Sequence, residues 1–387
     1  MISVPVKFHR DLSYLTMSDL HAGHPRLRTN ELVNHLDWYF GNYSPTHAFT
    51  NLDIIFIAGD LFDSALNFRS EDVLLITRWL GSLMQFCSTH SIKLRILEGT
   101  PSHDNKQSRI SNIVFDLLNV KLDFKYVETL YIEQMEDIGL SVLYMPDEWA
   151  GSTAKAQKQV EEMMAEMHLD KVDIACMHGM FRYQVPMQAN ESLKHNEEFY
   201  LGIVRFFINI GHIHTHSTLE RIIAQGSFDR MSHGEEEAKG ATICYIRKEG
   251  DHGFVFLENK HAKIFKTVHV KHLDIDKAVK QITKVADSLP DRSYLRIKAK
   301  AGHPVLNVIN ELKLRYPFIN FTKVTEEDDR EATMVVKEVT GLEDDYIPIS
   351  ITKENVVPLL KETITHKYTL TGDQQRRLDQ ILLKAHL

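Results

Sequence analysis

Apolar residues in the first half of the chain come in short unbroken runs, and each run stops at a polar residue. Leu52-Asp53-Ile54-Ile55-Phe56-Ile57-Ala58 is the plainest of them. Its apolar positions do not alternate with polar ones, which marks a strand covered on both faces, as in a parallel sheet flanked by helices. Similar runs are Leu12 to Met17, Ile92 to Leu97, Leu140 to Met145, Val172 to Met177 and Phe206 to Ile210. Between them the spacing becomes helical. Leu32, Val33, Leu36 and Phe40 mark a helix over 30–40, and residues 157–167 mark another. Ser70 caps a third, which carries Val73, Leu74, Ile76, Trp79 and Leu80 to about Leu83. Gly240 to Ile246 and Gly253 to Leu257 read as an antiparallel pair turning at 248–252.

From about Phe265 the texture changes. A strand at 266–270 precedes an amphipathic helix at 275–289 with Val279, Ile282 and Val285 on one face. A strand at 294–300, a helix at 304–314 and a strand at 318–324 follow. This is a βαββ-like or split βαβ unit, a small second domain. Arg296, Lys298 and Lys300 alternate with Leu295, Ile297 and Ala299, so one face of that strand is cationic. It is either a solvated sheet face or a ridge that tracks phosphates. Glu326 to Glu331 is an acidic run, most simply a solvated loop. A linker follows through Gly341 to Asp345. Thr371 caps a final helix with Leu378, Ile381 and Leu382 on one side.

Composition narrows the class. The 387 residues are 43% hydrophobic and 25% charged, ordinary for a globular protein of two or three domains. A net charge of −8 argues against a surface that coats polyanions generally, but leaves room for a local basic groove. Cys87, Cys176 and Cys244 are too dispersed for a disulfide framework or a CxxC metal site, which fits a reducing cytoplasm. No signal-peptide pattern is visible, and no apolar run approaches the roughly 18 residues that span a membrane. With 21 histidines, metal chemistry has to be considered.

The polar residues that stop the apolar runs carry the candidate chemistry. Asp19 and His21 follow the first run, Asp60 the second, His103 the third, and His178 and His212 later ones. Asp19 and His21, two apart, project to one side of an extended segment and can chelate one divalent ion. Taken alone, that pair is more simply an Asx-turn beside an unrelated histidine. Asp60 alone is a common residue after a strand. If the strands share a sheet, however, their carboxyl ends gather Asp19, Asp60, His103, His178 and His212 in one place, where open α/β sheets bind ligands.

Asp19-Leu20-His21, Gly59-Asp60-Leu61-Phe62-Asp63, Gly99 to Asp104, His178-Gly179 and Gly211-His212-Ile213-His214 resemble the ordered motif set of the calcineurin-like metallophosphoesterases. Within that superfamily the chain looks most like the SbcD type, the nuclease subunit of a double-strand-break repair complex. Ala224 to Phe228 with Gly234-Glu235 and Lys239-Gly240 is similar to the segment that closes the SbcD catalytic domain.

The resemblance implies an α/β fold, a four-layer α/β/β/α sandwich with a small α+β capping domain and a C-terminal helical tail. The divisions are 1–264 for the nuclease domain, 265–340 for the cap and 341–387 for the partner-binding tail. It implies two divalent ions, with Mn²⁺ the first choice and Mg²⁺ the second. Asp19, His21 and His214 would hold one ion, His178 and His212 the other, and Asp60 would bridge them. His103 would face the leaving oxygen as acid or hydrogen-bond donor, with Asp104 orienting it. Asp63 is either a supporting partner or a helix start.

The chain departs from the family at the third motif, Gly-Asn-His-Asp/Glu, where the Asn oxygen binds the second ion. Here two residues are inserted and Ser102 stands where Asn would, so Ser102 is the expected ligand. The implied partners are DNA, through Arg296, Lys298 and Lys300, and an SbcC-like coiled-coil ATPase. No membrane is implied, and a homodimer is left open. The expected activity is metal-dependent hydrolysis of DNA phosphodiesters. The rivals are a phosphatase or phosphodiesterase acting on a small phosphoester, and a structural subunit with a degraded site.

Overall fold

The computed structural model describes Phe8, Arg377 and residues 10–43, 49–67, 69–147, 151–185, 190–270 and 273–325. The chain divides into two compact units, Met1–Thr340 and Gly341–Leu387. Apart from Arg377, the described residues belong to the first. The acidic run, the linker and the helix expected after Thr371 lie outside the described residues.

The elements in chain order begin with β1 (Leu12–Met17), α1 (Thr29–Tyr43), β2 (Ile54–Ala58), α2 (Glu71–His90), β3 (Lys93–Leu97), α3 (Ile110–Leu118), β4 (Phe124–Val127), β5 (Tyr131–Met135) and β6 (Leu140–Met145). Next come α4 (Thr153–Glu166), β7 (Val172–His178), β8 (Met180–Phe181), β9 (Lys194–His195), α5 (Glu197–Ile203), β10 (Val204–Gly211), β11 (Ser217–Leu219) and β12 (Ile222–Ala224). The last are β13 (Gly240–Ile246), β14 (His252–Glu258), β15 (Phe265–His269), α6 (Ile275–Ala286), β16 (Tyr294–Ala299), α7 (Ile309–Arg315) and β17 (Asn320–Thr325). No helix among the described residues is long and apolar enough to cross a membrane.

Two mixed six-stranded sheets form the body. The first has the order β14-β13-β1-β2-β3-β4 and the second β11-β12-β10-β7-β6-β5. The unbroken apolar runs find their explanation here. In β2, Ile54, Phe56 and Ala58 share a core with Val142, Tyr144, Ile174, Cys176 and Phe207 of the second sheet. Ile55 and Ile57 join the other core, with Leu36 of α1, Ile76 and Leu80 of α2 and Val114 of α3. Successive side chains point to opposite faces, and both faces are covered, so no position is left for a polar residue. The second sheet does the same with α4 and α5, where Leu143, Ala175 and Ile208 pack with Ala156, Val160 and Tyr200.

The strands that end in candidate ligands therefore do not share one sheet. β1, β2 and β3 lie in the first, β7 and β10 in the second. The helices also run differently in places. Ser70 does cap α2, accepting from the Val73 N–H, but the helix continues to His90. α4 starts earlier than expected, because Ser152 caps it by accepting from the Lys155 N–H. The helix expected over 304–314 is broken into a 3₁₀ turn, Pro304–Asn307, and α7.

A third sheet, β15-β16-β17, is parallel throughout. It replaces the expected βαββ or split βαβ arrangement with a consecutive βαβαβ. A helical crossover separates each pair, which is what parallel neighbours require. Leu295, Ile297 and Ala299 pack with Ala278, Ile282 and Leu312, so the helices cover one face. Arg296 and Lys298 alternate with those residues and are half-buried, and Lys300 is exposed. Arg296 Nε donates to Thr267 Oγ1 at 3.2 Å. The sheet is tied to α1 through Glu31, which accepts from Lys263 Nζ at 2.6 Å and Arg292 Nη1 at 3.2 Å.

Candidate metal centre

The loops after β1 and β2 are laced together before any side chain acts. The Leu20 and His21 N–H groups donate to the Asp60 carbonyl at 2.9 and 3.1 Å, and Ala22 N–H donates to Leu61 O at 2.9 Å. Asp19, His21, Asp60 and His212 all have left-handed backbones, with φ of 53, 49, 50 and 97°. Such conformations are uncommon outside glycine, and a cluster of them is a mark of a functional site. Two glycines make the approach feasible. A Cβ on Gly59 would lie 2.2 Å from His178 Nδ1, and one on Gly99 would lie 2.1 Å from Asp60 N. Any larger residue at either place would collide with a candidate ligand.

Three overlapping groups of donor atoms result, each within 4.8 Å: Asp19, His21 and His214; His21, Asp60 and His103; Asp60, His178 and His212. Asp60 belongs to two of them. Its Oδ2 stands 3.2 Å from His178 Nε2 and 3.8 Å from His21 Nε2. Asp19 is held by the His212 N–H at 3.0 and 3.1 Å and by the Ser18 hydroxyl.

Four of the five candidate imidazoles share one arrangement, and His212 differs in turning Nδ1 to Thr100 Oγ1. His178 Nδ1 donates to Ala58 O at 2.7 Å and His103 Nδ1 to Asp63 O at 2.7 Å. His214 Nδ1 faces Glu235 Oε1 at 3.3 Å, and His21 Nδ1 faces Asp63 Oδ1 at 3.3 Å. In His178, His103 and His214 the far nitrogen has a hydrogen-bond partner, and in all four rings Nε2 is left for the site, as in metal-ligating histidines. His21 Nε2 and His214 Nε2 stand 3.1 Å apart. With the protons on Nδ1, these are two opposed lone pairs, which repel unless a proton or a cation lies between them. The donor set of carboxylate oxygen and imidazole nitrogen, buried and pre-oriented, therefore fits a divalent metal ion.

The electrostatics agree. Burial opposes ionisation of Asp60, but His178, His21 and His103 outweigh it and hold its carboxyl well below the usual range. Burial likewise opposes protonation of His178, yet Asp60 pushes its imidazole up to about 10.

Two expectations at the third motif need correcting. Ser102 is exposed. Thr100 stands inside instead, with its hydroxyl 3.2 Å from Asp60 Oδ2, 3.2 Å from His178 Nε2 and 3.1 Å from His212 Nδ1. The His103 and Asp104 N–H groups both donate to Thr100 O at 2.9 Å, which closes a turn and turns Pro101 and Ser102 out to solvent. Asp104 does not orient His103, because the Asp63 carbonyl does that. Asp104 instead accepts from the Phe62 N–H at 2.9 Å and the Gly99 N–H at 2.8 Å, tying two loops together. Burial, then Asp60 and Glu98, push its carboxyl up to about 7.

The alternative roles of Asp63 resolve geometrically. Among the described residues no helix starts near Leu66, and the Asp63 carboxylate faces His21. Arg296, Lys298 and Lys300 belong to the separate parallel sheet.

Sequence reasoning missed Glu235 and Lys239 as working residues, noting only a likeness of their segment. Both are buried, and Lys239 Nζ reaches Glu235 Oε2 at 2.9 Å, Glu237 Oε1 at 2.7 Å and His214 O at 2.8 Å.

No family model matches the chain, and no curated protein matches it. Among solved structures, TT1561 of Thermus thermophilus is 11% identical, with a TM-score of 0.34, over 63% of this chain and 98% of that one. GAP50, the anchor in the inner membrane complex of Plasmodium, is 12% identical, with a TM-score of 0.39, over 65% of this chain and 85% of that one. Overlap of this extent does not establish a shared family.

Proposed function

We propose that the chain is a metal-dependent nuclease of the calcineurin-like metallophosphoesterase kind, hydrolysing DNA phosphodiesters with an SbcC-like ATPase as partner. The carrying observation is that Asp60 belongs to two donor groups at once, Asp60-His178-His212 and His21-Asp60-His103, with Asp19 and His214 adjoining through His21. This reading gives the body the four-layer α/β/β/α sandwich, with divisions at 1–264, 265–340 and 341–387. It assigns two divalent ions to the centre, Mn²⁺ before Mg²⁺.

Bound divalent ions would acidify a water and neutralise charge on the phosphodiester. Asp19, His21 and His214 would hold one ion and His178 and His212 the other, with Asp60 between. His103, fixed through Nδ1 on Asp63 O, keeps Nε2 toward the centre, where it can donate a proton or hydrogen bond to the leaving oxygen. Glu235 holds the Nδ1 proton of His214, and the Asp63 carboxylate lies 3.3 Å from His21 Nδ1, so both rings would offer Nε2.

End-labelled duplex and single-stranded DNA, incubated with the protein in Mn²⁺ beside a chromogenic phosphodiester, tests the reading. Fragmented DNA is the expected result. Turnover of the small ester alone would replace the nuclease with a small-phosphoester hydrolase.

The cationic face of β16 makes a separate prediction. If Arg296, Lys298 and Lys300 track phosphates, replacing all three by Gln lowers the slope of log affinity against log salt by about 2.7. An unchanged slope would make the face a solvated one.

A further inference from the structure

The Thr100 hydroxyl sits among three candidate ligand atoms. It lies 3.2 Å from Asp60 Oδ2, 3.2 Å from His178 Nε2 and 3.1 Å from His212 Nδ1. A hydroxyl carries one proton and two lone pairs. His178 donates its Nδ1 proton to Ala58 O at 2.7 Å, so Nε2 is the nitrogen turned to the hydroxyl. Together with Asp60 Oδ2 and His212 Nδ1, these two make a set of four atoms, all of ligand type, that one cation could engage together.

The spacing also fits. Adjacent ligands of an octahedral ion with bonds of about 2.1 Å stand about 3.0 Å apart. The three Thr100 distances, and the 3.2 Å between Asp60 Oδ2 and His178 Nε2, are close to that edge.

We propose that Thr100 Oγ1 is a metal ligand, completing the group formed by Asp60, His178 and His212. The inference rests on the two-ion reading above and names the residue that takes the place of the family's Asn. Its local cause is the turn at 100–104. Two extra residues bulge into solvent, and the residue before them is carried inward. The Thr100 N–H donates to Asp60 Oδ1 at 2.6 Å, which holds that oxygen away and leaves Oδ2 beside the hydroxyl. A Cβ on Gly99 would lie 2.2 Å from Asp60 Oδ1, so this approach needs the preceding glycine. A hydroxyl is a weaker donor than an amide oxygen, so this ion should be the more loosely held of the two.

The test is Mn²⁺ titration of the metal-free full-length chain, followed by calorimetry and by the spin signal of free Mn²⁺. The parent is expected to bind two ions with unequal affinities. Thr100→Val keeps the shape and the backbone N–H but removes the oxygen. It should leave the tighter site unchanged and weaken the looser one about 10–100-fold, the scale of a lost polar contact at a metal centre. Thr100→Ser, which restores the hydroxyl, should bind within about threefold of the parent, where a purely steric role of the side chain would not recover.

Parent affinities in Thr100→Val would overturn Thr100 as a ligand while leaving the two-ion reading in place. Weakening in Thr100→Ser equal to that in Thr100→Val would also overturn it. A parent chain that binds no Mn²⁺ overturns both. Should Thr100→Val fail to fold, Thr100→Ala is titrated in its place and read by the same outcomes.

Discussion

Asp60→Asn is expected to lose cleavage by on the order of 10³-fold or more, the scale set by loss of a single preorganised electrostatic contact. The fold should survive, because an amide keeps an oxygen to accept the Thr100 N–H. What goes is the negative charge shared by two donor groups, which on the two-ion reading would balance two adjoining cations. Bound Mn²⁺ per chain should fall in parallel, measured by elemental analysis after desalting. On the proposed reading, in which Arg296, Lys298 and Lys300 contact DNA, DNA binding should change less. The substitution also removes the main cause that raises His178, so that imidazole should titrate nearer its ordinary range, readable by NMR in the metal-free protein. Cleavage at the parent rate would overturn the two-metal assignment itself, and not merely the choice of substrate.

Lys239→Met should cost about 3–5 kcal/mol at neutral pH, because it strands Glu235 as a buried, less compensated charge. In the parent, burial opposes ionisation of Glu235, but His214 and Lys239 hold its carboxyl far below the usual range. A carboxylate depressed in the folded state adds stability above its unfolded value of about 4.3, and that stability is lost as the pH falls through the folded value. The gap between parent and Lys239→Met should therefore narrow as the pH is lowered from about 5 to about 2, as read from denaturation midpoints at each pH. The double variant Glu235→Gln, Lys239→Met should recover part of the loss, since no ionised carboxylate is then left without its lysine. An equal penalty at both pH values would show that Lys239 acts through packing alone.

The body of the fold was legible where burial leaves no choice. β2 sits between two packed layers, so its residues must be apolar on both faces, and the run from Ile54 to Ala58 states this plainly. The residues after the strands were legible for a related reason. A chain leaving a buried strand reaches the sheet edge at once, and Asp19, Asp60 and His212 stand within two residues of such an end. Short elements were less visible. β8, β9, β11 and β12 are two or three residues each, too short for any periodicity to develop. The break between Pro304–Asn307 and Ile309–Arg315 leaves the apolar spacing nearly unchanged, so the pattern reads as one helix.

By itself, then, the sequence determined which segments are strands and which polar residues lie at their ends, because local burial dictates both. Tertiary structure alone decided how those ends meet. Two sheets, and not one, bring Asp19 beside His212 and His21 beside His214, each pair separated by 193 positions. It decided that the Asp63 carbonyl holds His103 while Asp104 ties loops together. It also placed Thr100 inside and Ser102 outside, since the path of a turn depends on hydrogen bonds the residue types do not announce. Glu235 entered only through its contact with His214. Strand content is set by each residue's own solvation, whereas a binding centre is set by pairings between distant loops, which no local pattern records.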